Sequence, residues 1–394
     1  MLKFDDSRLQ KRAEKFEILC QTSAGTPMGT LLRRFWQPIA LSASVQKGKA
    51  KAVRLFGEDL TLYRGESGRP HLVAGRCAHR LTLLHTGWIQ GEHIRCMYHG
   101  WRYDGGGQCV ERPAEPPGTE SGVRIVAYPV HEYCGVIFTY MGEGRAPGFD
   151  LPRKPSYEQE NVLLFQRKEI WPSNWLQNVE NSLDSVHVSF AHQKGVVGVF
   201  GDAISADVPE LEFRETEAGI CQIATRANSQ VRISDWTFPN CNHVNIPGLA
   251  PGDPWLEIAH WFVPVDDTHT MRLAAFSTPS VTPEANARLI DYFAACSDYN
   301  AADHDRELFA GQYPSDPLIR LTSAQDYVVL VGQGAIADRT RERLGTSDGG
   351  IVLLRRLLQR ELDAIREGTP TKAWRRLAQP SKLFSQTQQK GARQ

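Results

Sequence analysis

Hydrophobic and polar positions follow two different patterns of spacing along this chain. Between residues 52 and 142, short runs rich in β-branched and aromatic residues, such as VRLFG and LTLYR, are separated by glycine, proline, asparagine or aspartate. This texture predicts a small all-β domain. The turn-rich stretch 103–122 is a long loop within it, and the proline- and glycine-rich stretch 144–156 predicts a linker at its end.

Helical spacing marks both ends of the chain. Residues 5–35 predict helix, ending near the turn residues at 23–29. From about residue 283 onward the pattern is helical again, and within 349–368 leucines and isoleucines recur every three or four positions.

Between the linker and the late helices, 209–240 and 255–277 are predicted to be strands, with a hairpin turn at 264–270. We therefore expect an α+β protein with two domains, a number that 394 residues also suggests. The predicted parts are a helical segment that packs on the second domain (1–35), a small all-β domain (36–145), a larger domain of strands and helices (146–378), and a polar tail (379–394).

Charge and composition exclude several classes of protein. Lys+Arg and Asp+Glu both number 45, whereas a dedicated nucleic-acid binder would carry a basic excess. The sequence has no run of about 18 apolar residues and no secretory signal, so we expect a cytoplasmic protein without a membrane span. Its eight cysteines should then be reduced thiols or metal ligands. Those expected to be small buried side chains are Cys20, Cys134, Cys221, Cys241 and Cys296.

The segment 75–101 carries two pairs of candidate metal ligands. Cys77-x-His79 is followed, after sixteen residues, by Cys96-x-x-His99. One zinc ion would take all four side chains at a tetrahedral centre, whereas a two-iron, two-sulfide cluster takes the cysteines on one iron and the histidines on the other. The spacing favours the cluster, because each pair offers one cysteine and one histidine from a short turn. Two similar loops would then hold the cluster from opposite sides.

The residues around these pairs agree with a cluster. Gly75 and Gly100 permit close approach of the backbone. Trp88, Tyr98 and Trp101 are expected to shield the cluster and to leave its histidine side nearer the surface.

The pattern CxH…CxxHGW in a small β-rich domain resembles the Rieske iron–sulfur domain. The resemblance implies a [2Fe-2S] cluster that relays electrons, at a potential raised by its histidine ligands. The implied ligands are Cys77, His79, Cys96 and His99. The nearby residues outside the motif, which are not expected to be ligands, are His85, His93 and Cys109.

A second candidate site lies in 174-NWLQNVENSLDSVHVSFAH-192, which otherwise looks like an amphipathic helix. Its carboxylates, amide and imidazoles are unexpected in an apolar segment, where unpaired polar groups are costly. The string ENxxDxxHxxxxH, from Glu180 to His192, resembles the iron motif of Rieske non-haem iron oxygenases. The resemblance implies that His187 and His192 bind a mononuclear Fe(II) with positions open for dioxygen.

The five-residue spacing of His187 and His192 raises a geometric objection. In a straight α-helix such residues point about 140° apart. We therefore predict a local distortion between them: either a π-type bulge, or a helix that ends near Val188 with His192 in the following turn.

The remaining iron ligand is expected to be Asp326. It precedes a strongly apolar run, where its carboxylate would be poorly placed without a metal or a partner. In the family the carboxylate ligand comes from a late helix, which also favours Asp326. Asp338 and Asp348 lie in more polar surroundings and are expected to cap or pair locally.

The resemblance also implies roles for Asp184 and Asn181. The family counterpart of Asp184 hydrogen-bonds the iron ligand, here His187, and the cluster ligand His99 of the neighbouring subunit, and so orients both imidazoles. Asn181 is expected beside the open side of the iron, with bracing of the helix as the alternative. Glu180 has no predicted role.

The cluster motif, the iron motif and the late run QDxxxxxxQGxIADRTRERLGTSDxGIVLLRRLL together resemble the phthalate-dioxygenase-like branch. Its members form homotrimers and have a helix-grip catalytic domain, an antiparallel sheet curved around a long helix. The resemblance implies a terminal oxygenase that hydroxylates an aromatic substrate, with a mild preference for an aromatic carboxylate. Two alternatives stay open: an O- or N-demethylating monooxygenase, and an electron-transfer protein whose second site is inactive.

No GxGxxG stands between a strand and a helix, so neither nicotinamide nor flavin is expected in this chain. The implied electron donor is a separate reductase with flavin and an iron–sulfur cluster. Candidate pocket residues lie within 236–248 and around Phe190, Val196, Val197 and Phe200.

Three basic residues are candidates for substrate contacts. His243 is either such a contact or a loop histidine bonded to backbone. Arg226 and Arg232 are predicted to alternate on a strand, where they either pair a substrate carboxylate or form a solvated sheet face.

Overall fold

The structure is a computed structural model. It describes residues 6–116, 122–149, 151, 157–192, 207–227, 229, 231–250, 252–315 and 318–374. The chain divides into two compact units, one of residues 32–150 with 23–25, the other of residues 1–22, 26–31 and 151–394. No helix within the described residues is long and apolar enough to cross a membrane. The predicted polar tail, 379–394, lies outside the described residues.

The smaller unit consists of short antiparallel strands, as the turn-rich texture predicted. Their bounds are β1 Gln37–Leu41, β2 Ala50–Leu55, β3 Glu58–Arg64, β4 Pro70–Ala74, β5 Trp88–Gln90, β6 His93–Arg95, β7 Arg102–Tyr103, β8 Cys109–Glu111, β9 Ala127–Tyr128, β10 Val130–Tyr133 and β11 Val136–Thr139. They form three sheets with the strand orders β1-β11-β10, β2-β3-β4-β9 and β5-β6-β7-β8.

One hydrophobic core of the smaller unit contains both candidate cysteine ligands. Cys77 and Cys96 are buried there with Tyr63, Ile94 and Tyr103. The cysteine side of the site is therefore anchored by packing as well as by its loops. Of the five isolated cysteines four are buried as expected, whereas Cys134 is only partly buried at the turn between β10 and β11.

The N-terminal segment forms two helices rather than one, α1 at Asp6–Cys20 and α2 at Pro27–Arg33. The end of α1 contacts the larger unit, to which it belongs. Trp175 Nε1 donates to Leu19 O at 3.0 Å, and Asn174 Nδ2 donates to Cys20 O at 3.0 Å.

The larger unit contains one seven-stranded antiparallel sheet. Its strands are β12 Val162–Trp171, β13 Glu210–Glu215, β14 Gly219–Thr225, β15 Val231–Thr237, β16 Cys241–Ile246, β17 Leu256–Pro264 and β18 Thr270–Pro279. The order is β12-β18-β17-β16-β15-β14-β13. The predicted hairpin turn at 264–270 is confirmed, because it joins β17 to β18.

Besides the N-terminal helices, the described residues of this unit form the helices α3 Trp175–Ser182, α4 Val186–Ala191, α5 Pro283–Cys296, α6 Asp305–Phe309, α7 Leu318–Val331 and α8 Gly349–Glu367. The long helix α8 packs closely on the sheet. A Cβ atom at Gly350 would lie 2.4 Å from the Phe213 ring of β13, so a larger residue there would force that ring to move. A large antiparallel sheet with packed helices is the architecture that the family resemblance implied.

Strand β16 is among the strands that the sequence did not predict. Residues 236–248 are predicted to hold pocket residues, and asparagines such as Asn242 and Asn245 are depleted in strands. In the structure β16 pairs with β15 on one side and with β17 on the other, and this pairing outweighs the local preference.

Candidate metal centres

The first candidate cluster loop begins at Cys77. Its amide donates to Thr82 O at 2.8 Å, and the Leu81 amide donates back to Cys77 O at 2.9 Å. Leu81 has a φ of 59°, in the left-handed region that non-glycine residues seldom adopt, and its side chain is 63% exposed.

The second loop repeats this arrangement from Cys96. Its amide donates to Trp101 O at 2.8 Å, and the Gly100 amide donates to Cys96 O at 3.1 Å. Gly100, at the position equivalent to Leu81, has a φ of 74°. The prediction of two similar loops is confirmed at the level of individual hydrogen bonds.

The four candidate ligands lie together, with the histidines on the outside. Cys77 and Cys96 are buried, His79 is exposed and His99 is partly exposed. The two imidazole centroids are 4.5 Å apart. Desolvation, with smaller effects from His79 and Arg80, lowers the pKa of His99, which favours the neutral form that binds metal.

Aromatic groups cover the site on several sides. The Tyr103 hydroxyl lies 3.2 Å from Cys77 Sγ, and Trp101 stacks on His79 with centroids 4.6 Å apart. Tyr98 lies against His99, with centroids 3.8 Å apart. Trp88 was expected to shield the site too, but it is 47% exposed on β5 and is not among the described residues that line it.

The nearby residues outside the motif have other places in the fold. His85 lies in a short 3-10 helix, His93 lies in β6, and Cys109 is buried in β8. None of them is among the described residues that line the candidate cluster site.

The second candidate site does not lie on one continuous helix. The helix α3 ends at Ser182, and Asp184 starts α4 by accepting hydrogen bonds from the Val186 and His187 amides at 2.9 and 3.2 Å. The helix α4 then ends at Ala191, and His192 is its C-cap. Of the two predicted distortions the ending of the helix is the one found, but it comes at Ala191 rather than near Val188.

The helix end brings the two histidines and Asp326 of α7 together. Asp326 Oδ1 is 3.3 Å from His192 Nε2 and 3.6 Å from His187 Nε2. One donor atom from each residue lies within 4.8 Å of the others. Ligands at right angles on one metal ion are about 3 Å apart, so this set fits a mononuclear metal after small adjustments.

The charges of the three groups depend on one another. Burial raises the pKa of Asp326, but His192, Arg272 and His187 outweigh it and lower that pKa well below its usual range. Burial lowers the pKa of His187. In His192 the closer Asp326 outweighs burial, and the pKa is raised. A carboxylate that stays ionised among imidazoles is the donor set that a divalent cation requires.

Three further side chains hold this group in place. Gln325 Oε1 lies 2.9 Å from His192 Nδ1, so the ring donates there and leaves Nε2 free towards Asp326. Asn181 donates to Asp326 Oδ1 at 3.3 Å, and Arg272 donates to Asp326 Oδ2 at 3.4 Å. The predicted place of Asn181 is beside the open side of the iron, with bracing of the helix as the alternative, and in the structure its side chain contacts Asp326. Gln325 and Arg272 were missed, although Gln325 directly precedes the predicted aspartate.

Asp184 faces His187 on the side of the ring opposite Asp326. Its Oδ2 lies 3.9 Å from His187 Nδ1, which is beyond a hydrogen bond. His187 Nδ1 is buried and has no hydrogen-bond partner among the described residues. Asp184 and His187 therefore lie close together as expected, but they do not form a hydrogen bond.

Glu180, which had no predicted role, forms a buried ion-pair network. Its carboxylate accepts hydrogen bonds from Arg339 Nη2 at 2.8 Å and from Arg355 Nε at 2.6 Å. Arg355 also forms an ion pair with Glu342. This network ties α3 to α8 and to the chain before it. Sequence reasoning missed it because both arginines are more than 150 residues away along the chain.

Asp338 and Asp348 act locally, as predicted. Asp338 Oδ1 accepts from the Thr340 amide at 3.1 Å, and Asp348 Oδ2 accepts from the Gly345 amide at 2.6 Å.

A cavity of about 250 Å³ adjoins the three-residue group. Asn242, Val244 and Ile246 of β16 line it, so the predicted region 236–248 does contribute. His243 points the other way, because successive side chains of a strand alternate. Its Nε2 lies 3.5 Å from Cys241 Sγ, and it is neither a cavity contact nor a loop residue.

The other residues predicted to line the pocket do not all do so. Phe190 is 65% exposed and does not line the cavity in the part of the chain that the structure describes. Val196, Val197 and Phe200 lie outside the described residues. The two arginines do not share a strand: Arg226 follows β14 and pairs with Asp207 at 3.0 Å, while Arg232 lies on β15 and lines the cavity.

Both units match known protein families. Residues 35–133 match the Rieske [2Fe-2S] domain, and residues 139–388 match the LigXa C-terminal domain-like family. The chain belongs to the Rieske non-haem iron oxygenases. It is an oxygenase subunit that uses a [2Fe-2S] cluster and a mononuclear iron.

Similar proteins cover nearly the whole chain. The 5,5'-dehydrodivanillate O-demethylase oxygenase subunit of Sphingobium sp. is 32% identical over 92% of this chain and 82% of its own. The phthalate 4,5-dioxygenase oxygenase subunit of Pseudomonas putida is 31% identical over 93% and 90%. A carbazole-bound oxygenase, solved with ferredoxin in carbazole 1,9a-dioxygenase, shares the fold with a TM-score of 0.65, 18% identity and coverage of 94% and 99%.

Proposed function

We propose that this Rieske oxygenase hydroxylates an aromatic substrate at an iron(II) held by His187, His192 and Asp326, using electrons from a separate protein. The observation that carries the proposal is the convergence of these side chains from α4, its C-cap and α7 on the wall of one cavity. Two histidines and a carboxylate form the ligand set of non-haem iron oxygenases, and iron held in this way supplies the activation of dioxygen.

The surrounding side chains orient the proposed iron ligands. Asn181 and Arg272 each donate to one oxygen of Asp326, which fixes the plane of its carboxylate. Gln325 fixes the tautomer of His192 through Nδ1. Contacts of this kind orient metal ligands and raise metal affinity.

We assign the cluster to four residues of the smaller unit. The ligands are Cys77, His79, Cys96 and His99. The burial of the cysteines and the exposure of the histidines support this assignment, because Rieske clusters have cysteines on one iron and histidines on the other.

The electron route is proposed to cross a subunit interface. Asp184 would accept hydrogen bonds from His187 and from His99 of the partner subunit in a homotrimer. Its open Oδ2, directed towards a buried and unsatisfied His187 Nδ1, supports this role. We propose a reductase with flavin and an iron–sulfur cluster as the donor. The solved carbazole oxygenase takes a ferredoxin as its partner, which makes a ferredoxin the alternative donor.

The product class has two candidates. Ring hydroxylation, single or as a cis-dihydrodiol, is the first, because the phthalate enzyme is a dioxygenase. O-demethylation is the second, because the Sphingobium relative is an O-demethylase. The cytoplasmic location expected from the sequence stays a prediction.

Iron content and oxygen uptake test the proposal together. The purified protein should contain about three irons per chain, two in the cluster and one mononuclear. With a reductant and a panel of benzoates, phthalates and methoxybenzoates, it should consume oxygen and form hydroxylated or demethylated products. A protein with about two irons that consumes no oxygen would instead be an electron-transfer protein with an inactive second site.

The variant Asp184→Asn tests the electron route. Asparagine keeps an oxygen for the Val186 and His187 amides but loses the charge between the two imidazoles. We expect both metal contents to be retained and turnover to fall by about 100-fold or more, since the pathway depends on that carboxylate. In a single turnover the pre-reduced cluster should stay reduced when oxygen and substrate are added. Asp291→Asn, on the exposed side of α5, is the matched control, and normal turnover in Asp184→Asn would exclude the route.

A further inference from the structure

The two oxygens of the Asp326 carboxylate have different neighbours. Oδ1 lies 3.3 Å from His192 Nε2 and 3.6 Å from His187 Nε2, and it also accepts a hydrogen bond from Asn181 Nδ2 at 3.3 Å. Oδ2 instead accepts from Arg272 Nη2 at 3.4 Å. One oxygen is therefore directed towards the histidines, while the other is held by an arginine of the sheet.

Arg272 is itself fixed by aromatic and polar neighbours. It is buried on β18, and its guanidinium carbon lies 3.7 Å from the ring centroid of Trp171 and 5.4 Å from that of Phe262. Its Nη1 donates to Asn178 Oδ1 at 3.4 Å, and Asn178 Nδ2 donates in turn to Ser173 Oγ at 3.0 Å. A guanidinium that is stacked on aromatic rings and bonded through a second nitrogen stays in one place, so it holds Oδ2 in place as well.

The carboxylate directly opposite Arg272 in the sheet is engaged elsewhere. Glu169 of β12 is the register partner of Arg272 on β18. It forms an ion pair with Arg167 and accepts a hydrogen bond from Ser323 Oγ at 2.7 Å. Arg272 is thereby left to pair with Asp326, and its charge acts on the candidate iron ligand.

The number of carboxylate oxygens on a metal decides how many positions remain for other ligands. A carboxylate can bind a metal ion through one oxygen or through both. Iron with two imidazoles and one carboxylate oxygen keeps about three of its six positions for dioxygen, substrate or water, whereas a chelating carboxylate would leave about two. A hydrogen bond to the second oxygen also withdraws charge from the ligand, and contacts of this kind tune the metal.

We propose that Arg272 is a positioning residue that holds Oδ2 of Asp326 away from the metal, so that Asp326 binds iron through Oδ1 alone and one further position stays open. The proposal rests on the proposed function and deepens it by naming the side chain that keeps this position available. Arg272 acts through Asp326, whose carboxylate it orients from the side of the sheet.

Opposite shifts of two affinities test the proposal. Iron-depleted protein that keeps its cluster is titrated first with Fe(II) and then with nitric oxide, which occupies an open position on the iron. The EPR signal of the iron–nitrosyl measures the second step, because the oxidised cluster is EPR-silent.

The variant Arg272→Met frees Oδ2 for the metal. We expect the affinity for Fe(II) to rise by about 10-fold, and the affinity of the bound iron for nitric oxide to fall by about 10-fold. A purely structural role of Arg272 would lower both affinities together, and that result overturns the proposal.

Two further variants separate this effect from the loss of a buried charge. Arg272→Lys keeps a cation beside Oδ2 and should keep both affinities within about threefold of the wild type. Arg226→Met removes another buried arginine that pairs with a carboxylate, that of Asp207, and should leave both affinities unchanged. Cluster absorbance verifies that each variant is folded.

A crystal structure of the Fe(II)-loaded wild type tests the proposal without any variant, even if Arg272→Met does not fold. Oδ2 is expected to stay on Arg272, with Oδ1 as the single carboxylate oxygen bonded to iron. Both oxygens on the iron would overturn the role of Arg272 and leave the oxygenase intact. A wild type that binds no iron at His187, His192 and Asp326 would overturn the proposed function as well.

Discussion

The two candidate metal sites are built in different ways. All four candidate cluster ligands lie within 25 residues of sequence, and each cysteine loop is closed by its own two backbone hydrogen bonds. The iron site instead joins α4 to α7, and the Gln325–His192 contact spans 133 residues. Its other contacts, from Asn181 and Arg272, also come from separate elements.

The geometry of the cluster loops depends on local hydrogen bonds, whereas the geometry of the iron site depends on packing between distant elements. A loop closed by its own amides keeps its shape wherever the surrounding core holds it. A site assembled from distant elements depends on every packing contact that sets their positions. Mutations that break the fold around α3 and α7 should therefore affect the iron site and spare the cluster.

The largest effect is expected from Asp326→Ala. It removes the carboxylate on which both histidines converge and leaves Arg272 unpaired. Iron should fall from about three to about two per chain, while the cluster absorbance stays and oxygen uptake is lost. Asp338→Ala, an exposed residue of the same late segment, should keep the full iron content. Full iron in Asp326→Ala would show that another residue is the ligand.

A large loss of stability is expected from Glu180→Gln. Removing one member of a buried ion-pair network leaves charge uncompensated and costs about 3–5 kcal/mol. Unfolding in denaturant, followed by tryptophan fluorescence, measures the change. The exposed pair of Glu212 and Arg214 provides the control, since Glu212→Gln should cost less than about 0.5 kcal/mol. Equal losses in the two variants would mean that the network does not stabilise α3.

A smaller effect is expected from Gln325→Leu. Without its acceptor the His192 ring loses its fixed tautomer, and Fe(II) affinity should fall by about 10- to 100-fold. Titration of the iron-depleted protein with Fe(II) measures this directly, with the cluster spectrum unchanged. Gln333→Leu, just after α7, should bind iron normally, and an unaltered affinity in Gln325→Leu would remove Gln325 from the site.

The smallest effects concern the two cluster loops. Leu81→Gly should raise the thermal stability of the cluster absorbance slightly, by up to about 1 kcal/mol, because glycine adopts positive φ without strain. Gly100→Ala should do the opposite, since its Cβ would have positive φ and would lie 3.1 Å from Pro113. Equal and same-signed shifts in the two variants would contradict the equivalence of the loops.

Sequence reasoning succeeded where spacing alone carries chemistry. The paired loops and the helix ending before His192 followed from short motifs and the period of the α-helix. The choice of Asp326 rested on the apolar run after it and on the family resemblance. Sequence reasoning failed where a residue's environment is made by distant strands. For His243 the alternatives were a substrate contact and a loop residue, and the pairing that makes β16 a strand is not visible locally. Arg226 and Arg232 were predicted to share one strand although a turn separates them.

The sequence by itself predicted the candidate ligands and their local loops, because metal chemistry restricts both the residues and their spacing. The tertiary structure alone decided the contacts made across long separations. It explained Glu180 by bringing two arginines onto it, and it distinguished Arg232 from Arg226 by pairing only the latter with a carboxylate. The physical reason is that burial and charge pairing are set by which elements pack together, and a buried charge depends on neighbours that the chain supplies from far away.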